Sequence, residues 1–136
     1  MEDIMKTLFT AHALVSWVFG IALLVIPVPL LAAYTITLNP GGSILAQLLG
    51  GALLGLGVVS WFARNATPSE ALRAIILGDA VISTLGCLVS IYGVLSTVSG
   101  ALGWLNVVLY GLFAVAFGAL ATGKIASGKS PVSAHT

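Results

Sequence analysis

Four long apolar runs, joined by one charged connector and two uncharged ones, constrain this chain more than any other feature. The connector is Arg64-Asn65-Ala66-Thr67-Pro68-Ser69-Glu70-Ala71-Leu72-Arg73, the only internal stretch with more than one charge. Of 136 residues, 59% are hydrophobic and 7% charged, whereas soluble domains carry about 25% charged residues. A soluble fold could not cover its surface with these side chains. The composition therefore predicts an integral membrane protein with the lipid bilayer as its surroundings.

A spanning helix needs about 20 apolar residues. The first run extends from about residue 7 to 26 and stops at Pro27 and Pro29, which remove amide donors and clash with the preceding turn. The leader Met1-Glu2-Asp3-Ile4-Met5-Lys6 is more acidic than basic, and no small-x-small cleavage site follows promptly, so a retained span is expected rather than a signal peptide. Residues 28–42 are broken by Pro29 and by Asn39-Pro40-Gly41-Gly42. Irregular backbone in hydrocarbon would leave polar groups unpaired, so this segment belongs at the interface, with a short helix near Leu30 to Tyr34. The second span covers about 43–63. Thr67-Pro68-Ser69-Glu70 reads as a capping box with proline at the first helical position, which starts the third helix near Pro68, with its span at about 74–95. The fourth span covers about 101–123, and residues 124–136 form a small, polar, mobile tail. The predicted fold is all-α: an antiparallel four-helix membrane bundle over 1–123.

Four crossings place both ends of the chain on one side. Lys6, Arg64, Arg73, Lys124 and Lys129 all fall on that side, and the two other connections carry no basic residue. Under the positive-inside rule both termini are cytoplasmic. Trp61 on that side, and Tyr34 and Trp104 on the other, read as interface anchors, and Trp17 as packing.

Charge and ligand counts exclude several classes. Five basic residues with a net charge of +1 give no footprint for nucleic acid. The single Cys87 lies in an apolar run and behaves as a small hydrophobe. No His/Cys grouping has metal-ligand spacing, no serine sits in an elbow motif, and a bis-histidine cofactor would need a second intramembrane histidine. No enzyme activity, metal or cofactor is expected.

Period-3.5 seams show which faces pack. The second span offers Gly50 and Gly57, with Gly51 and Gly55 as a small-xxx-small pair. The third offers Asp79, Ser83, Gly86 and Gly93, the fourth Gly111 and Gly118, and the first His12, Ser16 and Gly20. Close backbone approach and interhelical hydrogen bonds drive association in lipid, so these faces should turn inward. A subunit interface is the other use for them.

The runs Tyr34-Thr35-Ile36-Thr37-Leu38-Asn39-Pro40-Gly41-Gly42, Leu48-Leu49-Gly50-Gly51-Ala52-Leu53-Leu54-Gly55-Leu56-Gly57, Trp61-Phe62-Ala63-Arg64 and Ala101-Leu102-Gly103-Trp104, with the aspartate of the third helix, resemble a family of small uncharacterised four-helix bacterial membrane proteins. More loosely, the chain is similar to DoxX-like membrane proteins. The resemblance implies a four-helix fold in a bacterial inner membrane and brings no activity with it.

Two ionisable residues lie within the spans, His12 and Asp79, each roughly 6–8 Å past the cytoplasmic entry. Such residues usually face the bundle or a cavity. A structural clip, with Asp79 satisfied by His12, Ser83, Arg64 or Arg73, is preferred, because no second charge lines a path across. Asn106 and Tyr110, one turn apart, read as a helix–helix hydrogen-bonding pair. The reading favoured from sequence is an accessory or scaffolding subunit, or a homo-oligomer, acting with a membrane-protein partner by helix–helix interaction. The alternative is a small transporter, channel or lipophilic-ligand carrier using His12 and Asp79.

Overall fold

The computed structural model describes residues 2–123; the expected tail, with Lys124, Lys129 and His135, lies outside the described residues. Five helices follow in order: α1 (Glu2–Val25), α2 (Pro27–Ala33), α3 (Pro40–Ala63), α4 (Glu70–Leu95) and α5 (Gly103–Thr122). All but α2 are long and apolar enough to cross a membrane.

The breaks have local causes. Pro27 cannot bond to Leu23, so α1 ends on Ile26 N–H donating to Ala22 at 2.8 Å, and Pro27 restarts the chain at the first position of α2. The short helix thus begins earlier than the expected Leu30. It closes on Thr35 in the left-handed region (φ 60°), with the Thr35 and Ile36 amides capping the carbonyls of Ala32 and Leu31. Asn39 caps α3, its Oδ1 accepting from Gly42 N–H at 2.6 Å, and Pro40 takes the first turn. The Asn-Pro-Gly-Gly run is therefore a helix start rather than interfacial punctuation. At α4 the cap is Ser69, accepting from Leu72 N–H at 3.1 Å. Pro68 stays outside, and the helix starts two residues later than the expected capping box places it. Leu102 precedes α5 without a side-chain cap, so that helix starts at Gly103 rather than Ala101.

The long helices form two intimate pairs, α1 with α3 and α4 with α5, while the pairs meet each other chiefly through side chains. Within the first pair the backbones nearly touch. A Cβ on Gly50 would lie 2.7 Å from the Gly20 carbonyl oxygen, and one on Gly57 would enter the Trp17 indole. In the second pair Gly86 lies under the Tyr110 ring, and Gly111 faces Cys87 Sγ.

Four of the expected packing glycines depart from this pattern. Added Cβ atoms at Gly51, Gly55 and Gly118 would meet nothing within 4 Å, because a residue adjacent to an inward one is turned about 100° away. Gly93 contacts Ser99 of its own following turn, not a neighbouring helix.

At the end carrying the Arg64–Arg73 connector, Met5, Phe9, Ala63, Leu72, Ile76, Phe117 and Leu120 draw all four long helices into one apolar cluster. Phe9 and Phe117 stack with centroids 5.3 Å apart. At the opposite, turn end, Gly100 N–H donates to Tyr34 O at 2.8 Å. Tyr34 Oη donates to Asn106 Oδ1 at 3.1 Å. Tyr34 is accordingly buried rather than an interface anchor, and Asn106 pairs with it instead of with Tyr110. Trp104 is half exposed. Leu45, Leu48, Val89, Leu112 and Val115 point outward.

Substitutions at neighbouring glycines separate the two faces of α3. Gly50→Ala should lower stability by about 1–3 kcal/mol, because its Cβ meets backbone that cannot yield. Gly51→Ala should be neutral, or stabilising by up to about 1 kcal/mol. Thermal unfolding in detergent distinguishes them, and equal losses would refute this packing.

Candidate functional site

The antiparallel register sorts the seam between the pairs into layers. Running up α1 and α4 and down α3 and α5, the connector-end cluster gives way to His12, Ser60, Asp79 and Ser83, all buried. Beyond them lies a cavity of about 80 Å³, lined mainly by Val15, Phe19, Leu53, Leu56 and Phe113. His12, Ser16, Asn106 and Tyr110 supply its polar groups. Toward the turn end, Asn106 of the cavity lining accepts a hydrogen bond from Tyr34 Oη.

His12 and Asp79, three turns into α1 and α4, do come together, but not as a hydrogen-bonded clip. His12 Nδ1 is 2.9 Å from Ser60 Oγ and 3.7 Å from Asp79 Oδ2. The second distance is too long for a hydrogen bond. The imidazole is held edge-on between Phe113 and Phe117, with centroids at 4.8 and 5.1 Å, which fixes its plane.

Asp79, 2% exposed, leaves Oδ2 without a partner, and Ser83 Oγ, one turn along the same helix, is also unpaired. The other groups expected to satisfy this carboxylate are elsewhere. The Arg64 guanidinium lies 3.3 Å over the Trp61 ring, itself stacked near Trp17 at 5.4 Å. Arg73 is exposed. Buried polar side chains are usually paired, and a lone one costs about 1–3 kcal/mol, more when charged. The layer therefore carries two buried oxygens without a hydrogen-bond partner among the described residues.

Ser60 is the member that sequence reasoning missed. The seam through Gly50, Gly57 and Trp61 passes beside it, yet three residues after Gly57 it shares the inward face. Among the described residues no three His, Cys, Asp or Glu side chains converge for a metal.

Outside the four long helices, burial and then the neighbouring Tyr110 push the Tyr34 phenol above its ordinary value. It stays a neutral donor to Asn106 at physiological pH. At the C-terminus of α1, Gln47 Nε2 donates to the Leu24 carbonyl at 3.1 Å, covering an acceptor freed by the proline break.

Comparison of the chain with protein families, with curated proteins and with solved structures gives no match.

If Asp79 held the helices together, its neutral isostere would unfold them. Asp79→Asn should instead unfold at the wild-type temperature or above, whereas Ser60→Ala, which strips His12 of its partner, should cost about 1–3 kcal/mol. Paired thermal denaturation in detergent checks both, and a loss in Asp79→Asn as large as in Ser60→Ala would restore the clip.

Proposed function

We propose that this is a multi-pass integral membrane protein of the small transporter or channel class, binding a proton or small cation at Asp79. One observation carries the reading: a buried carboxylate oxygen without a hydrogen-bond partner among the described residues, beside an imidazole already engaged by Ser60. Ionisable groups within membrane helices commonly mark ion or proton pathways. A purely structural role would be expected to leave Oδ2 and Ser83 Oγ paired.

Placement in a bacterial inner membrane, with the connector end cytoplasmic, belongs to the same proposal. Lys6, Arg64 and Arg73 cluster at that end, and residues 26–39 and 96–102 carry no charge, as the positive-inside rule requires.

A second reading, an accessory subunit or homo-oligomer, is favoured by the outward α3 face around Gly51 and Gly55, where no side chain among the described residues approaches. Small residues one turn apart let a second helix come close in lipid. The two readings are compatible, since this face lies away from the polar layer.

In proteoliposomes with an imposed membrane potential, the wild type should carry a pH-dependent current or dye response that Asp79→Asn abolishes. An unchanged response in Asp79→Asn removes the transport reading. For the second reading, Gly51→Leu combined with Gly55→Leu should lower self-association at least tenfold in bilayer cross-linking. Association equal to wild type would dismiss that face as an interface.

A further inference from the structure

The polar layer is not placed symmetrically in the seam. On the connector side it abuts Phe9 and Phe117, both fully buried, with Leu72 and Ile76 at 1% exposure. That cluster contains no polar side chain to carry water. On the turn side it abuts the cavity of about 80 Å³. A water occupies about 30 Å³ of liquid and needs polar partners, so the cavity has room for about two or three waters, and His12, Ser16, Asn106 and Tyr110 supply the partners. His12 is the one member of the layer that both lines the cavity and approaches Asp79. Its Nδ1 faces Ser60 and Asp79 Oδ2, and its Nε2 has no hydrogen-bond partner among the described residues.

We propose that Asp79 exchanges its proton only with the turn side of the bundle, through His12 and a short file of water in this cavity. The step balances without a further reagent. A proton from cavity water arrives at His12 Nε2, rotation of the Asp79 side chain brings Oδ2 from 3.7 Å to hydrogen-bonding distance of Nδ1, the Nδ1 proton passes to it, and the imidazole is left neutral in its other tautomer. The net change is carboxylate plus proton to carboxylic acid. Asp79 faces His12 from α1 and Ser60 from α3; Tyr110 of α5 is the remaining titratable group, across the cavity, and no charged side chain of α3 or α5 enters the layer. The relay therefore has one titratable neighbour, with polar lining on the turn side and an apolar cluster on the other. This inference rests on the proton form of the reading above, and adds to it the route and its direction.

Infrared difference spectroscopy of the full chain in bilayers, between about pH 4 and 9, tests route and reading separately. The carboxylic acid band of Asp79 is identified by its loss in Asp79→Asn, and its shift after transfer to D2O reports the exchange rate. Ser16→Leu fills the cavity from α1 and Ile82→Phe from α4, and thermal unfolding in detergent identifies the variants that fold. Each should slow exchange tenfold or more, as should His12→Phe, with the band still present. A band that exchanges at the wild-type rate in the folded cavity-filled variants overturns the route while leaving a titrating Asp79. Absence of any Asp79 band across the range overturns the proton reading and the route with it.

Discussion

Close backbone approach within each helix pair is the constraint on which the rest of this structure depends. Gly20 against Gly50 brings the backbones of α1 and α3 together without an intervening side chain, and Gly57 makes room for the Trp17 ring. Gly86 does the same for α5 by accepting the Tyr110 ring. Where backbones touch, there is no room for anything else. The larger and more polar side chains are consequently displaced into the one seam where the backbones stay apart, and that seam becomes the place where chemistry can occur.

Within the seam the order of layers follows from helix register. Phe9 and His12 are three residues apart on α1, Ser60 and Ala63 three apart on α3, and Ile76 and Asp79 three apart on α4. The apolar and polar side chains of all three helices therefore change together at one level. The apolar layer holds the pairs together by dispersion and aromatic packing, worth about 0.5–1.5 kcal/mol for a well-placed ring pair beyond area burial. The polar layer contributes little net stability, because Asp79 and Ser83 have no return for their desolvation. A bundle that keeps such a layer tolerates a local loss, in the way that sites of function often do.

Much of this was legible in the residues. The proline pair at 27 and 29 and the connector at 64–73 bound the long helices, since each punctuates backbone hydrogen bonding locally. The polar stripe of Asp79 and Ser83 and the small stripe of Gly50 and Gly57 follow helical periodicity, and both face inward. Other features were misread for identifiable reasons. Asn39-Pro40 caps α3, but the following glycines look like a loop. Tyr34 looks like an interface aromatic, because its partner Asn106 is 72 residues away. Gly51 and Gly55 look like packing residues, because small-xxx-small spacing specifies close approach without specifying by what.

The sequence by itself determined the number, length and apolar character of the helices, because these depend on hydrogen bonding and hydrophobicity within a few residues. Only the tertiary structure decided the pairing of α1 with α3 and of α4 with α5, and with it the choice of Ser60 rather than Asp79 as the partner of His12. That choice rests on a difference of less than an ångström between two oxygens on different helices, and no local rule of the chain reaches across such a distance in sequence.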